Sequence, residues 1–205
     1  MSLPTSATGA ATRRNANEWI RGIVFTALFG ALFIAGSYLK FKIGFSTVPI
    51  TLQTLAVLLA GGMLGATYGF ASIAIVVALT ATGLPLMGEG SGLSKLTGAT
   101  AGFIWMFPVV AFLVGWASDK LFVPGKRLPA PKVVALFLCI CAGALLTYVA
   151  GVPWLAHYLH MKFSVALDKG MYPFLPGDLL KAVAATLIIA ALRPVVPMVR
   201  PNKRQ

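Results

Sequence analysis

The chain has 205 residues, 58% of them hydrophobic and only 11% charged, and its formal net charge is +12. This composition excludes a soluble globule with a polar surface and indicates one integral membrane domain. The cations stand in short clusters between apolar runs, with no continuous basic helix or groove. They therefore argue against nucleic-acid binding and are better explained by membrane topology.

Apolar runs long enough to cross a hydrocarbon core occur six times, which predicts an all-α membrane protein built as a six-helix bundle. In chain order the runs cover residues 20–38, 50–65, 67–85, 99–117, 133–153 and 178–197. Only the turn-prone stretch from Gly65 to Tyr68 separates the second run from the third, and their fusion would make the count odd. The first run is long and five more follow it, so we interpret it as an uncleaved span and not as a signal peptide.

The lysines and arginines predict the orientation of this bundle. Six spans would place 11 of them on one side and 6 on the other, which accounts for all 17. By the positive-inside rule, both termini are expected in the cytoplasm. The richer side would carry Arg13, Arg14, Arg21, Lys120, Lys126, Arg127, Lys132, Arg193, Arg200, Lys203 and Arg204, and the poorer side Lys40, Lys42, Lys95, Lys162, Lys169 and Lys181. The expected organisation is a polar cytoplasmic segment 1–19, a transmembrane domain 20–197 and a basic cytoplasmic tail 198–205.

Small residues recur at four-residue spacing along the first span, in the stretch FTALFGALFIAG (25–36). Ala27, Ala31 and Ala35 would form one stripe that lets another helix approach closely, since helices in lipid associate by packing. The stripe is compatible with packing against the chain's own helices and with docking of a partner subunit.

A glycine-rich stretch, GLPLMGEGSGLSKLTGATAG (83–102), follows the third span and contains six glycines and a single acid, Glu89. Glycines permit tight backbone conformations, and exposed N–H groups in such a loop can bind polar atoms. The stretch could contact a ligand or could be a flexible hairpin. It is not a P-loop, because its glycine, lysine and hydroxyl spacing does not match that motif.

Two opposite charges stand at the start of the sixth span, in FLPGDLLKAVAAT (174–186). Asp178 and Lys181 are three residues apart, so they would lie on one face of the helix. Charged residues within spans usually face the protein interior or a cavity. A ligand site is one interpretation; in the other, Asp178 caps the helix and Lys181 extends towards the membrane interface.

The other polar side chains predict no catalytic or metal site. Cys139 and Cys141 point in different directions on a helix, so they are expected to be small packing residues. His157 and His160 are expected at the interface, and Gln53 and Thr54 in hydrogen bonds between helices. The five acids and two histidines form no arrangement typical of an enzyme.

Four stretches of the sequence resemble the BioY family, the biotin-specific S components of energy-coupling-factor (ECF) transporters. They are VPITLQTLAVLLAG (48–61), GLPLMGEGSGL (83–93), the GATAG that follows, and PFLPGDLLKA (173–182). The resemblance extends from about residue 20 to about residue 197. It implies a compact six-helix bundle in the bacterial cytoplasmic membrane that binds biotin near its outer face, beneath external loops.

The resemblance also implies roles for individual residues. In the family, the motif that Asp178 and Lys181 match contributes polar contacts to the vitamin. The loop after the third span covers the site, which implies ligand contacts from Gly88, Glu89, Gly90 and Ser91. Relatives commonly have Asn or a small residue near position 89, and GPTGG where this chain has GATAG. An acid at 89 could accept a hydrogen bond from a ureido N–H group but would repel a carboxylate tail.

The resemblance implies partners for the first span. Ala27, Ala31 and Ala35 match the surface that such proteins use against the transmembrane coupling subunit, which joins a pair of ATPases. Because the chain has no nucleotide-binding motif, ATP is expected to be used only by those partners, and no cofactor is expected. Some members of the family are thought to act without a dedicated energising module, and a homo-oligomer is a further expectation.

Three other functions remain to be weighed against biotin transport. An S component for another vitamin would share the bundle and the alanine stripe but not the PGDLxK block. A membrane-embedded enzyme would need a reactive set of side chains near the midplane. A purely structural subunit would leave the Asp178 and Lys181 pair and the glycine-rich loop without a purpose.

Overall fold

The computed structural model describes residues 6–41, 50–88, 92–123 and 126–195, and this part of the chain is almost entirely helical. Its elements in chain order are α1 (Ser6–Tyr38), β1 (Lys40–Phe41), β2 (Ile50–Thr51), α2 (Gln53–Ala81), α3 (Gly92–Thr97), α4 (Ala101–Leu121), α5 (Ala130–Tyr158), α6 (Phe163–Gly170) and α7 (Leu175–Leu192). The two short strands pair antiparallel, with Lys40 opposite Thr51. The predicted all-α class is therefore correct.

Five of the described helices are long and apolar enough to cross a membrane: Asn17–Tyr38 within α1, and all of α2, α4, α5 and α7. Helix α1 begins at Ser6, so part of the predicted polar segment 1–19 continues the first span as one helix. Helix α7 ends at Leu192, short of the predicted 197, because Pro194 cannot continue a helix. The predicted tail 198–205 lies outside the described residues.

Helix α2 contains both the second and the third predicted span and is broken at Gly65. This glycine has φ 80° and ψ −179°, a conformation that residues with a Cβ rarely adopt. A Cβ on Gly69 would lie only 2.8 Å from the Cα of Gly61, whereas a continuous helix would separate these residues by about 12 Å. The chain therefore reverses at Gly65, and segments 53–64 and 66–81 pack against each other.

Helix α1 runs beside the second half of α2, in the same direction. Ser72 Oγ donates a hydrogen bond to the carbonyl oxygen of Thr26 at 2.8 Å, and the Leu52 N–H group donates to Gly36 at 3.2 Å. Gly30 and Gly36 are buried against α2, where a Cβ on Gly36 would meet the Leu52 backbone at 3.1 Å. Glycines on α1 thus provide the close approach to the chain's own helices.

The reversal of α2 is held by polar groups from α4 and from the end of α7. Asp119 accepts hydrogen bonds from the Ala66 N–H group, at 3.0 Å, and from the Arg193 guanidinium. Arg193 and Ser118 both donate to the Gly62 carbonyl oxygen, at 2.8 and 2.9 Å. Burial lowers the pKa of the Arg193 guanidinium, and the Asp119 carboxylate acts in the opposite direction. This network, which we call the elbow network, lies at one end of the bundle.

Candidate ligand-binding site

Asp178 and Lys181 lie together near the start of α7, at the end of the bundle away from the elbow network. Each residue is only 8% exposed, and Lys181 Nζ lies 3.0 Å from Asp178 Oδ1. The cap position of α7 belongs to Phe174, and the Asp178 backbone N–H group already bonds to the Phe174 carbonyl oxygen at 2.8 Å. The alternative in which Asp178 caps the helix and Lys181 extends towards the membrane interface is therefore wrong. The pair faces the protein interior.

Tyr148 completes this charged pair from α5. Its hydroxyl group donates a hydrogen bond to Oδ2 of Asp178, so each carboxylate oxygen has one donor. The Tyr148 ring also packs edge-on against Phe103 of α4, with ring centroids 5.9 Å apart. Three helices thus fix the carboxylate, which retains lone pairs that can accept further hydrogen bonds.

A cavity of about 140 Å³ opens beside the pair. Four of the residues that line it are aromatic, and several carry hydroxyl, amide or ammonium groups. The lining residues are Ser37, Lys40, Thr51, Gln53, Thr54, Met87, Lys95, Thr100, Phe103, Ile104, Phe107, Thr147, Tyr148, Gly170, Phe174, Asp178 and Lys181. Apolar walls with a few convergent polar groups are typical of a small-molecule site.

The charges around the cavity favour a ligand with an anionic group. Lys40, Lys95 and Lys181 line it, whereas Asp178 is the sole carboxylate among the described lining residues. The Asp178 carboxylate pairs with Lys181, and the ammonium group of Lys40 lines the same cavity. Hydrogen bonds to charged groups are stronger in such a partly dehydrated site than in water.

The described part of the glycine-rich stretch lies next to this cavity. Gly88 is buried with φ 76°, and a Cβ at this position would lie 2.7 Å from Nζ of the cavity-lining Lys40. Trp105 donates to the Leu96 carbonyl oxygen at 3.1 Å, and Trp154 donates to that of Gly98 at 2.8 Å, so two indoles hold the following segment. The predicted contacts Glu89, Gly90 and Ser91 lie outside the described residues.

Other sequence predictions are resolved by burial and hydrogen bonding. Gln53 was expected to form a hydrogen bond between helices, but its side-chain oxygen accepts instead from Thr51, two residues earlier, and the residue lines the cavity.

His157 and His160 are exposed, with ring centroids 6.5 Å apart. Among residues 6–41, 50–88, 92–123 and 126–195, no three potential metal-binding side chains cluster. Cys139 and Cys141 are partly buried free thiols.

The alanine stripe on α1 faces away from the bundle. Ala27, Ala31 and Ala35 are all exposed, whereas Gly30 and Gly36 on the same helix are buried. The interpretation that the stripe packs against the chain's own helices is therefore wrong. The sequence prediction missed the glycines because either set of small residues could have served that contact.

Tyr148 and Phe103 are cavity-lining residues that the sequence analysis did not identify. They stand in ordinary apolar stretches, and a buried tyrosine, whose hydroxyl needs a partner, is the one feature that could have drawn attention to position 148. The fold and the cavity define a helical membrane protein with a buried, charged candidate ligand site near one end of its bundle.

The chain belongs to the BioY family, whose characteristic sequence it matches over residues 7–198. The family predicted from the sequence is therefore confirmed. A protein of Rhizobium etli described as biotin transporter BioY is 36% identical, with 87% of this chain and 96% of the relative covered. A protein of Rhodobacter capsulatus with the same description is 34% identical, covering 88% of this chain and 98% of the relative.

A solved structure shares the fold. It is described as the S-component for biotin from an ECF-type ABC transporter, and it superposes with a TM-score of 0.77 at 27% sequence identity. The match covers 86% of this chain and 93% of the other. The chain therefore has the S-component fold and is not expected to be an enzyme.

Proposed function

We propose that the chain captures biotin with high affinity and takes it up across the membrane as the substrate-binding subunit of a vitamin transporter. The observation that carries this proposal is the buried Asp178, Lys181 and Tyr148 cluster in the wall of a cavity. The names of the relatives and the shared fold support biotin over another vitamin.

The chemistry of the cavity suits the parts of biotin. The vitamin has a ureido ring with two N–H donors and one carbonyl acceptor, a sulfur-containing ring and a carboxylate tail. Asp178 can accept from the ureido N–H groups, while Lys181, which already donates to that carboxylate, can also donate to a ligand oxygen. Phe103, Phe107 and Phe174 supply apolar walls for the rings. The ammonium group of Lys40 suits the carboxylate tail.

The loop residues Gly88, Glu89, Gly90 and Ser91 form the covering of the site in this proposal. The position of Gly88 beside Lys40 supports it, since Lys40 lines the cavity. Glu89 would accept from a ureido N–H group and would repel a carboxylate tail placed beside it.

Six membrane crossings with both termini in the cytoplasm form the proposed topology. The reversal of α2 at Gly65 supports six crossings, because it makes one long helix into two antiparallel segments. The excess of lysine and arginine on one side supports cytoplasmic termini in a bacterial cytoplasmic membrane. The cavity then opens outward.

The exposed stripe of Ala27, Ala31 and Ala35 is the proposed contact with a transmembrane coupling subunit, which would join a pair of ATPases. Small exposed residues let a second helix approach closely in lipid. ATP would be used only by those ATPases, and the chain itself would carry no cofactor. A second copy of the chain is the alternative occupant of the stripe.

Equilibrium binding of labelled biotin to the detergent-purified chain tests the proposed site. Asp178→Asn and Lys181→Ala are expected to weaken binding at least 100-fold, about 2.7 kcal/mol. Asp168→Asn and Lys120→Ala make the same chemical changes at exposed positions and should bind like the parent. If all variants bind biotin equally, the assignment of biotin as the substrate stands but this site is excluded. If the folded parent does not bind biotin, the proposed function is excluded.

Ala31→Trp tests the proposed partner surface separately. The substituted chain should bind biotin normally but lose co-purification with the coupling subunit and lose uptake in cells. Ala142→Trp adds the same side chain at an exposed position of α5 and should change neither property. Loss of a homo-oligomer in Ala31→Trp, with the coupling subunit still bound, would assign the stripe to a second copy.

A further inference from the structure

The side-chain amide of Gln53 carries an unmet hydrogen-bond donor beside the cavity. Gln53 is only 8% exposed and lines the cavity, yet its Nε2 atom is buried without a hydrogen-bond partner among the described residues. A buried donor without an acceptor is unfavourable, and such groups in folded proteins call for an explanation. A ligand that brings an acceptor would remove the penalty.

The oxygen end of the Gln53 amide bonds to Thr51. Thr51 Oγ1 accepts from the backbone N–H group of Gln53 at 3.4 Å, which leaves the Thr51 hydroxyl hydrogen to donate. The side-chain oxygen of Gln53 lies 3.4 Å from that hydroxyl and is its acceptor. With the amide oxygen as the acceptor for the Thr51 hydroxyl, the NH₂ group is left for another partner.

The backbone at this position is fixed from both sides. Thr51 pairs with Lys40 in the two-stranded sheet, and the Leu52 N–H group donates to the Gly36 carbonyl oxygen at 3.2 Å. Gln53 then begins α2. The unmet donor therefore stands on a rigid part of the scaffold, as a specificity group requires.

We propose that Gln53 determines specificity by donating a hydrogen bond from Nε2 to the uncharged carbonyl oxygen of a cyclic urea. This inference rests on the proposed function, since biotin is such a urea. A neutral amide donor matches a neutral carbonyl, whereas the ammonium groups that line the same cavity match a carboxylate better. A site built to bond a particular polar atom strongly rejects analogues that lack it, because its own polar group then stays unpaired.

Thr26 provides a matched control. Its Oγ1 atom is the other buried side-chain atom without a partner among the described residues, and Thr26 is not one of the cavity-lining residues. Removal of either unpaired group should leave the empty protein folded. Only removal of the Gln53 amide should change the affinity for ligand.

Calorimetric titration of two ligands tests the inference. One is biotin, and the other is its guanidino analogue 2-iminobiotin, in which an N–H group replaces the ureido oxygen. Gln53→Met, which keeps the side-chain length, should weaken biotin binding about 10- to 100-fold and change binding of the analogue less than about threefold. Gln53→Glu, which replaces the donor by an acceptor, should weaken biotin binding at least as much. Thr26→Val should bind biotin like the parent, within about twofold.

The outcomes separate this inference from the proposed function. The role of Gln53 would be overturned if Gln53→Met bound biotin with the parent's affinity, or if it lost affinity for both ligands equally. Biotin binding by the parent would still support the proposed function in either case. A parent that binds neither ligand would end the proposed function and this inference together. If Gln53→Met does not fold, the affinities of the unsubstituted chain for the two ligands provide the test. The inference requires that this chain bind biotin at least about tenfold more tightly than 2-iminobiotin, and equal affinities would overturn it.

Discussion

The hydroxyl group of Tyr148 donates to Oδ2 of Asp178, a residue 30 positions further along the chain, while Lys181 donates to Oδ1 at 3.0 Å. All three residues are at most 8% exposed. A carboxylate held in this way by two donors is fixed in orientation before any ligand arrives. Preorganisation of this kind lowers the cost of ordering the site on binding.

Tyr148→Phe should weaken biotin binding about tenfold and leave the bundle folded. The substitution removes the hydroxyl donor to Asp178 but keeps the ring that packs against Phe103. The loss corresponds to about 1.4 kcal/mol, which is close to the lower end of the range for one hydrogen bond to a charged group. Tyr158→Phe makes the same change at an exposed position of α5 and should bind like the parent. Equal affinities for both variants would show that Tyr148 does not position Asp178.

Asp119→Ala should destabilise the folded chain more than Arg193→Met does. The Arg193 side chain is 7% exposed and that of Asp119 is 35% exposed, so removal of the aspartate leaves a buried, uncompensated cation. We expect about 3 kcal/mol for Asp119→Ala and about 1 to 2 kcal/mol for Arg193→Met. Unfolding of the purified variants by denaturant in detergent measures the difference. The reverse order would contradict the burial argument.

Gly65→Ala should disrupt the reversal of α2. The residue has φ 80°, and an added Cβ would lie 2.7 Å from Oδ2 of Asp119, so strain and a steric conflict combine. Gly83→Ala is the control, because Gly83 has φ 97° but open space around it. The control should cost about 1 to 2 kcal/mol from backbone strain alone. Thermal unfolding should therefore show a clearly lower midpoint for Gly65→Ala than for Gly83→Ala.

Gly69→Ala should separate the two halves of α2. Its Cβ would lie 2.8 Å from the Cα of Gly61 and 2.9 Å from the Ala60 carbonyl oxygen, and neither backbone atom can move independently. Gly177→Ala, near the start of α7, would meet nothing within 4 Å and should stabilise the helix by up to about 1 kcal/mol. A loss of stability with Gly69→Ala, and none with Gly177→Ala, is the expected result in the same unfolding assay. Unchanged stability of Gly69→Ala would contradict the packed hairpin.

Local spacing explains why Asp178 and Lys181 could be predicted from the sequence. Residues three apart on a helix share a face, so their proximity follows from helix geometry alone. Tyr148 and the Asp119 and Arg193 pair could not be found in this way. They are separated from their partners by 30 and 74 positions, and no helical periodicity relates residues on different helices.

The sequence by itself determined the class of protein, the apolar segments and the family, because hydrophobic length and a few specific motifs are local properties of the chain. It also marked Gly65 to Tyr68 as a turn-prone stretch between the second and third runs, and Gly65 has the positive φ at which α2 reverses. Tertiary structure alone decided that the alanine stripe faces outward, that Gln53 lines a cavity, and that Tyr148 reaches Asp178. These facts depend on how the helices rotate and pack against one another, and that packing arises from contacts between distant parts of the chain.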